Sequence, residues 1–191
     1  MMSEFEKDIE HCLSVLNEGG TILYPTDTVW GIGCDATNNE AVQKVYKIKE
    51  RPSKKSMIVL LADEKDILKY VANPDPHIFE YLKTVQKPTT IVYDGAIGLA
   101  SDLIPDDGSI AIRIVHEKFC RHLLKRFRKP IVSTSANLSG EITPGIFREI
   151  LNPIRTAVDY VVYHRQNEDK HAESSAVVKL NRDGTINTIR E

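Results

Sequence analysis

A chain of 191 residues matches the usual length of one domain and is long enough to bury a core of its own. Hydrophobic residues at 41% and charged residues at 27% fit an ordinary globular protein, with no apolar run of bilayer length. A net charge of −2 and a pI near 6.3 exclude a global positive field, so any anion-binding site has to be local.

The first residues, Met1 to Asp8, are polar and partly acidic, unlike a secretory leader, and a cytoplasmic location is expected. Phe5, Ile9, Cys12, Leu13 and Leu16 recur every three to four residues, which predicts an amphipathic helix with Ser3 as its cap and Gly19-Gly20 as its end. Thr21 to Tyr24 reads as a buried strand. The stretch from Pro25 to Asp35, with Thr26, Asp27, Thr28, Trp30, Gly31 and Gly33, has the small polar groups and glycines of a ligand loop. Asn39 is placed to cap a helix running to about Lys49, which Arg51-Pro52 breaks.

Met57 to Leu61 reads as a buried strand, Asp63 caps a short helix, and Pro74 and Pro76 frame another that runs to about Gln86. Strands follow at Thr89 to Tyr93 and Ile110 to Val115. A basic helix from Glu117 to Arg128 leads to a short strand, Ile131-Val132, that enters Ser133-Thr134-Ser135-Ala136-Asn137. Tyr160 to Tyr163 and Val177 to Leu180 read as late strands, and Arg182-Asp183-Gly184 as a hairpin turn into Thr185 to Ile189. Such an order predicts a mixed sheet. Arg165 to Glu173 is the most linker-like stretch, too short to divide domains.

Cys12, Cys34 and Cys120 are odd in number and widely spaced, which fits reduced core thiols and no metal knuckle. The six histidines lack paired ligand spacing, so no metal site is expected. Lys49 and Arg51 suit a helix C-terminus, where cations complement the macrodipole. An ammonium and a guanidinium two residues apart can equally grip oxygens of one triphosphate, and both side chains are expected to be exposed in a polar cavity. The Ser-Thr-Ser-Ala-Asn run is either a self-satisfied turn or a donor set for phosphate or carboxylate. The cations of the basic helix and its C-terminal flank, Lys118 to Lys129, read as a solvated face.

Taken in order, these segments resemble the YrdC-like family. Tyr24-Pro25-Thr26-Asp27-Thr28-Val29-Trp30-Gly31 is similar to its Pro-Thr-acid-Thr-aromatic-Gly signature, Lys49-x-Arg51 to its KxR motif and Ser135-x-Asn137 to its SxN motif. Ser109 to Arg113 and Ser175-Ala-Val-Val extend the likeness over nearly the whole chain. The resemblance implies one YrdC-like α/β domain over residues 1–191, in the short form of the family without the extra C-terminal domain. The implied fold is a twisted mixed sheet flanked by helices with a concave basic cavity. The implied activity is synthesis of L-threonylcarbamoyl-adenylate from L-threonine, bicarbonate and ATP with Mg²⁺. The product would pass to TsaB-, TsaD- and TsaE-type proteins that build threonylcarbamoyladenosine in tRNA. By position, Thr26, Arg113, Ser135 and Ser175 would contact threonine. Lys49, Arg51, Lys55, Ser109, Asn137 and Arg190 would line the nucleotide, with Lys49, Arg51, Ser135 and Asn137 serving the chemistry. Lys55 stands where the family commonly has asparagine, Trp30 replaces a usual tyrosine, and Leu60 replaces a histidine of some members. The rival readings are a double-stranded RNA-binding or ribosome-maturation module, a hydrogenase-maturation carbamoyltransferase portion, and an inactive paralogue.

Overall fold

The computed structural model describes residues 5–52, 55–181 and 185–191. Nine strands form one sheet in the order β7-β1-β2-β6-β3-β5-β4-β8-β9, where β1 is Ile22–Tyr24, β2 Gly31–Gly33, β3 Ile58–Leu61, β4 Thr89–Tyr93 and β5 Ile110–Ile114. The others are β6 Ile131–Ser135, β7 Tyr160–Val161, β8 Ala176–Leu180 and β9 Ile186–Arg190. β1 with β7, β3 with β5 and β4 with β8 run parallel, and the remaining neighbours are antiparallel, so the sheet is mixed as expected.

Helix α1 (Glu6–Asn17) buries Ile9, Cys12 and Leu16. It packs on α4 (Lys118–Phe127), where Phe5 meets Phe119 edge to face at 5.7 Å and Arg126 pairs with Glu6 and Glu10. Ser3 lies outside the described residues, and the α1 cap position is Phe5, without a side-chain capping bond. Glu117 caps α4 by accepting the Cys120 N–H at 2.8 Å. Helix α2 (Asn39–Ile48) is capped by Asn38, one residue earlier than expected, and buries Ala41, Val42, Val45 and Tyr46.

The end of α2 sets the direction in which Arg51 departs. The Arg51 N–H donates to the Tyr46 carbonyl at 3.0 Å and the Glu50 N–H to that of Lys47 at 3.1 Å, with Glu50 in the left-handed region at φ 49°. This is a Schellman closure with glutamate where glycine is favoured. It turns the chain so that Arg51 leaves the helix axis.

Helix α3 spans His77–Thr84, and a 3₁₀ helix over Glu64–Lys69 takes the place of the short helix expected after Asp63. Besides two 3₁₀ turns at Ser101–Leu103 and Phe147–Glu149, two elements were not foreseen. α5 (Asn152–Ala157) is only six residues long, too short to show a period. β2 falls inside the stretch read as a loop.

Its two glycines explain why. A Cβ on Gly33 would stand 2.5 Å from the Val132 carbonyl and 2.6 Å from the Tyr24 ring, and one on Gly31 would stand 2.8 Å from Ser133 Oγ. The buried Tyr24 ring crosses this strand and donates its hydroxyl to Val132 O at 3.0 Å. The glycines are therefore spacers that let ring and strand approach. The predicted turn at residues 182–184 lies outside the described residues, while β8 and β9 pair antiparallel on either side of it.

Candidate active site

A cavity of about 400 Å³ opens on one face of the sheet. Strand alternation selects its floor: on β5, Ala111 and Arg113 line the cavity while Ile110 and Ile112 turn into the core. Val92 on β4, Val177 on β8 and Ser133 to Ser135 on β6 continue it, and Trp30 and Gly31 form one wall. Trp30 is held there by Phe147, with ring centroids 4.8 Å apart.

Of the ten residues singled out from the sequence, six line this cavity: Arg51, Ser109, Arg113, Ser135, Ser175 and Arg190. Arg113 is buried and pairs with Asp27 at 3.0 Å through one terminal nitrogen, which also lies 3.4 Å from Thr26 Oγ1. Arg190 donates twice to the Ser175 carbonyl, at 2.9 and 3.1 Å, and Thr90 Oγ1 sits 2.8 Å from Ser175 Oγ. Thr90 is opposite Arg113 in the β4–β5 register. It was not foreseen, because only the strand register sets it beside Arg113. Arg51 reaches the Ser56 carbonyl at 2.8 Å.

Three guanidiniums thus meet one cavity, and among the described residues no carboxylate lines it. Burial lowers the pKa of Arg190, with a further contribution from the charge of Arg113, and burial lowers that of Arg51. Two buried donors, Nε of Arg51 and Nε of Arg113, lack a hydrogen-bond partner among the described residues. A buried N–H without an acceptor costs about 1–3 kcal/mol, and the three guanidinium charges that meet the cavity favour an anionic ligand there.

The other four residues stand elsewhere. Lys49, expected to be exposed, is 1% exposed, and its ammonium donates to the carbonyls of Ser135 and Asn137, the latter at 2.7 Å. The Ser139 N–H returns a bond to the Lys49 carbonyl at 2.9 Å. Burial, with the nearby charge of Arg51, brings the Lys49 pKa down from 10.5 to about 8. The difference from expectation is physical: the turn at Glu50 sends Arg51 to the cavity and leaves Lys49 behind the Ser135–Asn137 loop. Asn137 donates to the carbonyls of Leu138 and Glu141 at 2.8 and 3.0 Å, and its buried Oδ1 has no partner among the described residues. Thr26 is buried, with its hydroxyl 2.9 Å from Val29 O and accepting the Thr28 N–H at 3.0 Å. Lys55 is exposed and outside the cavity lining.

The cations at α4 are largely spent. Arg121 and Lys125 face Asp63, Arg126 faces Glu6 and Glu10, and Lys129 faces Asp35. The three cysteines are free and buried, and burial raises each thiol's pKa. Among the described residues no group of three His, Cys, Asp or Glu side chains is placed to hold a metal, and no helix is long and apolar enough to cross a membrane.

The Sua5_yciO_yrdC family, described as "Telomere recombination", matches residues 14–191. The chain belongs to this family. Over 160 residues it is 32% identical to a protein of Pseudoalteromonas translucida named "Threonylcarbamoyl-AMP synthase", covering 82% of this chain and 86% of that one. The fold of this family member superposes on E. coli YciO with a TM-score of 0.83 at 22% identity, covering 97% of this chain and 89% of the other. P. abyssi Sua5 complexed with L-threonine superposes with a TM-score of 0.80 at 20% identity, covering 91% of this chain. This chain spans about half of that Sua5 chain, 51% of its length.

Proposed function

We propose that this Sua5/YciO/YrdC-family chain is a threonylcarbamoyl-AMP synthase. It condenses L-threonine, bicarbonate and ATP into L-threonylcarbamoyl-adenylate with release of pyrophosphate. The observation that carries the reading is the convergence of three arginines, Arg51, Arg113 and Arg190, on one cavity that no described carboxylate lines. It is supported by the name of the P. translucida relative and by the P. abyssi Sua5 structure with L-threonine.

The amine of threonine adds to bicarbonate, water leaves, and a carbamate oxygen attacks the α-phosphorus as the bond to pyrophosphate breaks. Nothing in these steps needs a covalent enzyme nucleophile; they need placement and charge neutralisation. Arg113 receives the threonine carboxylate beside the Ser175 hydroxyl, which Thr90 holds from below. Arg51 and Arg190 neutralise the phosphates, with Ser109 and Ser135 as neutral donors. Lys49 and Asn137 act from behind, by shaping the loop that carries Ser135. Mg²⁺ enters as part of the nucleotide substrate, coordinated by its phosphates. One YrdC-like domain over residues 1–191, in the cytoplasm, hands the adenylate to tRNA-modifying proteins that make threonylcarbamoyladenosine.

The test is pyrophosphate release from ATP with Mg²⁺ and bicarbonate, comparing L-threonine, L-serine and no amino acid. Threonine-dependent release is expected. Equal release in all three arms, or none from folded protein, would overturn the proposal.

A further inference from the structure

The stretch that reads as a linker, residues 165–173, is folded against the back of the loop that walls the cavity. Its first residue, Arg165, holds a left-handed backbone at φ 68°, a conformation that a side chain with a Cβ disfavours. Both flanks are anchored. Before it, the N–H groups of Tyr163 and His164 donate to the buried carboxylate of Asp8 at 3.1 and 2.8 Å. Near its end, the Ala172 N–H donates to the Gly145 carbonyl at 3.0 Å.

The strained turn delivers one side chain to one place. Arg165 donates through Nη1 to the Thr26 carbonyl at 2.8 Å, and its Nε pairs with Glu168 at 2.8 Å. Thr26 in turn contacts Arg113, and Asp27 beside it pairs with Arg113. A void of about 10 Å³ lies between this strap and Thr26, Thr28 and Trp30, so the loop has packed neighbours on the strap side and the ligand cavity on the other.

We infer that Arg165 is a positioning residue: by fixing the Thr26 carbonyl it sets the loop that orients Arg113 for the amino-acid carboxylate. This rests on the synthase reading, and it concerns the threonine side of the site alone. Arg165 touches no reacting atom, and the phosphate-side residues Arg51 and Arg190 belong to other elements. Loss of the guanidinium therefore loosens the amino-acid subsite and leaves the nucleotide subsite as it is. A charge-assisted bond to a carbonyl is of the strength that gives about a tenfold change when lost.

The chain carries its own reporter. Trp30 is the single tryptophan, 5% exposed, and it lines both the cavity and the small void. The experiment compares wild type with Arg165→Gly and Arg165→Lys. Glycine relieves the left-handed backbone while removing the guanidinium, so its Tm is expected to stay within about 4 °C of wild type. In Arg165→Gly, Trp30 emission shifts to the red and acrylamide quenches it more, the KM for L-threonine rises about tenfold, and the KM for ATP changes by less than about twofold. Arg165→Lys, which keeps a single donor, falls between. Unchanged Trp30 fluorescence, equal shifts in both KM values, or an activity loss that simply follows Tm would overturn the role. If wild type shows no threonine-dependent turnover, the synthase reading fails separately, and the fluorescence of the two variants alone decides whether Arg165 holds the loop.

Discussion

Replacing Lys49 with methionine keeps most of the aliphatic volume and removes the buried ammonium. Two effects of opposite sign result. The carbonyls of Ser135 and Asn137 lose their donor, at about 1–3 kcal/mol for each group left buried without a partner. Against this, the lowered pKa, from 10.5 to about 8, means that the folded state holds the proton at a cost of roughly 3 kcal/mol, at 1.36 kcal/mol per unit. At about pH 7 the two nearly offset, and Lys49→Met is expected within about 2 kcal/mol of wild type. The sign of the pH dependence comes from proton counting. Below the folded pKa of about 8 both states are protonated; between about 8 and 10.5 the unfolded chain binds the proton and the folded chain does not. Wild type therefore gains stability through this window, by about 2 kcal/mol between pH 7 and about pH 9.5, and the variant lacks that gain. Urea unfolding of both proteins at the two pH values reads the difference directly. A stability gap independent of pH would refute the buried-ammonium argument. Activity should meanwhile drop at pH 7, because the loop carrying Ser135 has lost its clamp.

Arg51→Ala should lower kcat/KM for pyrophosphate release by about 10²–10³-fold with a Tm change of only a few degrees, since its lost interactions are mainly with ligand; a loss of folding equal to the loss of activity, read by thermal melt, would count against that assignment. Gly33→Ala should destabilise by about 1–3 kcal/mol or more in urea, because the new methyl meets a backbone carbonyl and a packed ring, neither of which can yield cheaply. Glu50→Gly should stabilise by roughly 0.5–1 kcal/mol, measured in the same way, since glutamate there sits at positive φ; a destabilisation would show that its side chain contributes more than its backbone costs.

Sequence alone determined what depends on near neighbours and on motif chemistry. The apolar period of α1 and the β-branched runs of β3, β4 and β5 are local signals, and each element formed where its pattern said. Motif chemistry singled out Arg51, Ser109, Arg113, Ser135, Ser175 and Arg190, and the folded sheet brings these six, far apart along the chain, to one cavity. What tertiary structure decided is whatever depends on a partner far along the chain. Gly31 and Gly33 look like loop glycines until the Tyr24 ring lies across them, and only then is β2 a strand. Lys49 and Arg51 look equivalent in sequence. One left-handed residue between them separates a cation that faces a ligand from one that faces two carbonyls of a loop 86 and 88 residues away. Arg165 carried no local signal, since its partner at Thr26 stands 139 residues earlier. Local propensity has no access to such pairings; they exist only once the sheet has closed and the buried polar groups have found one another.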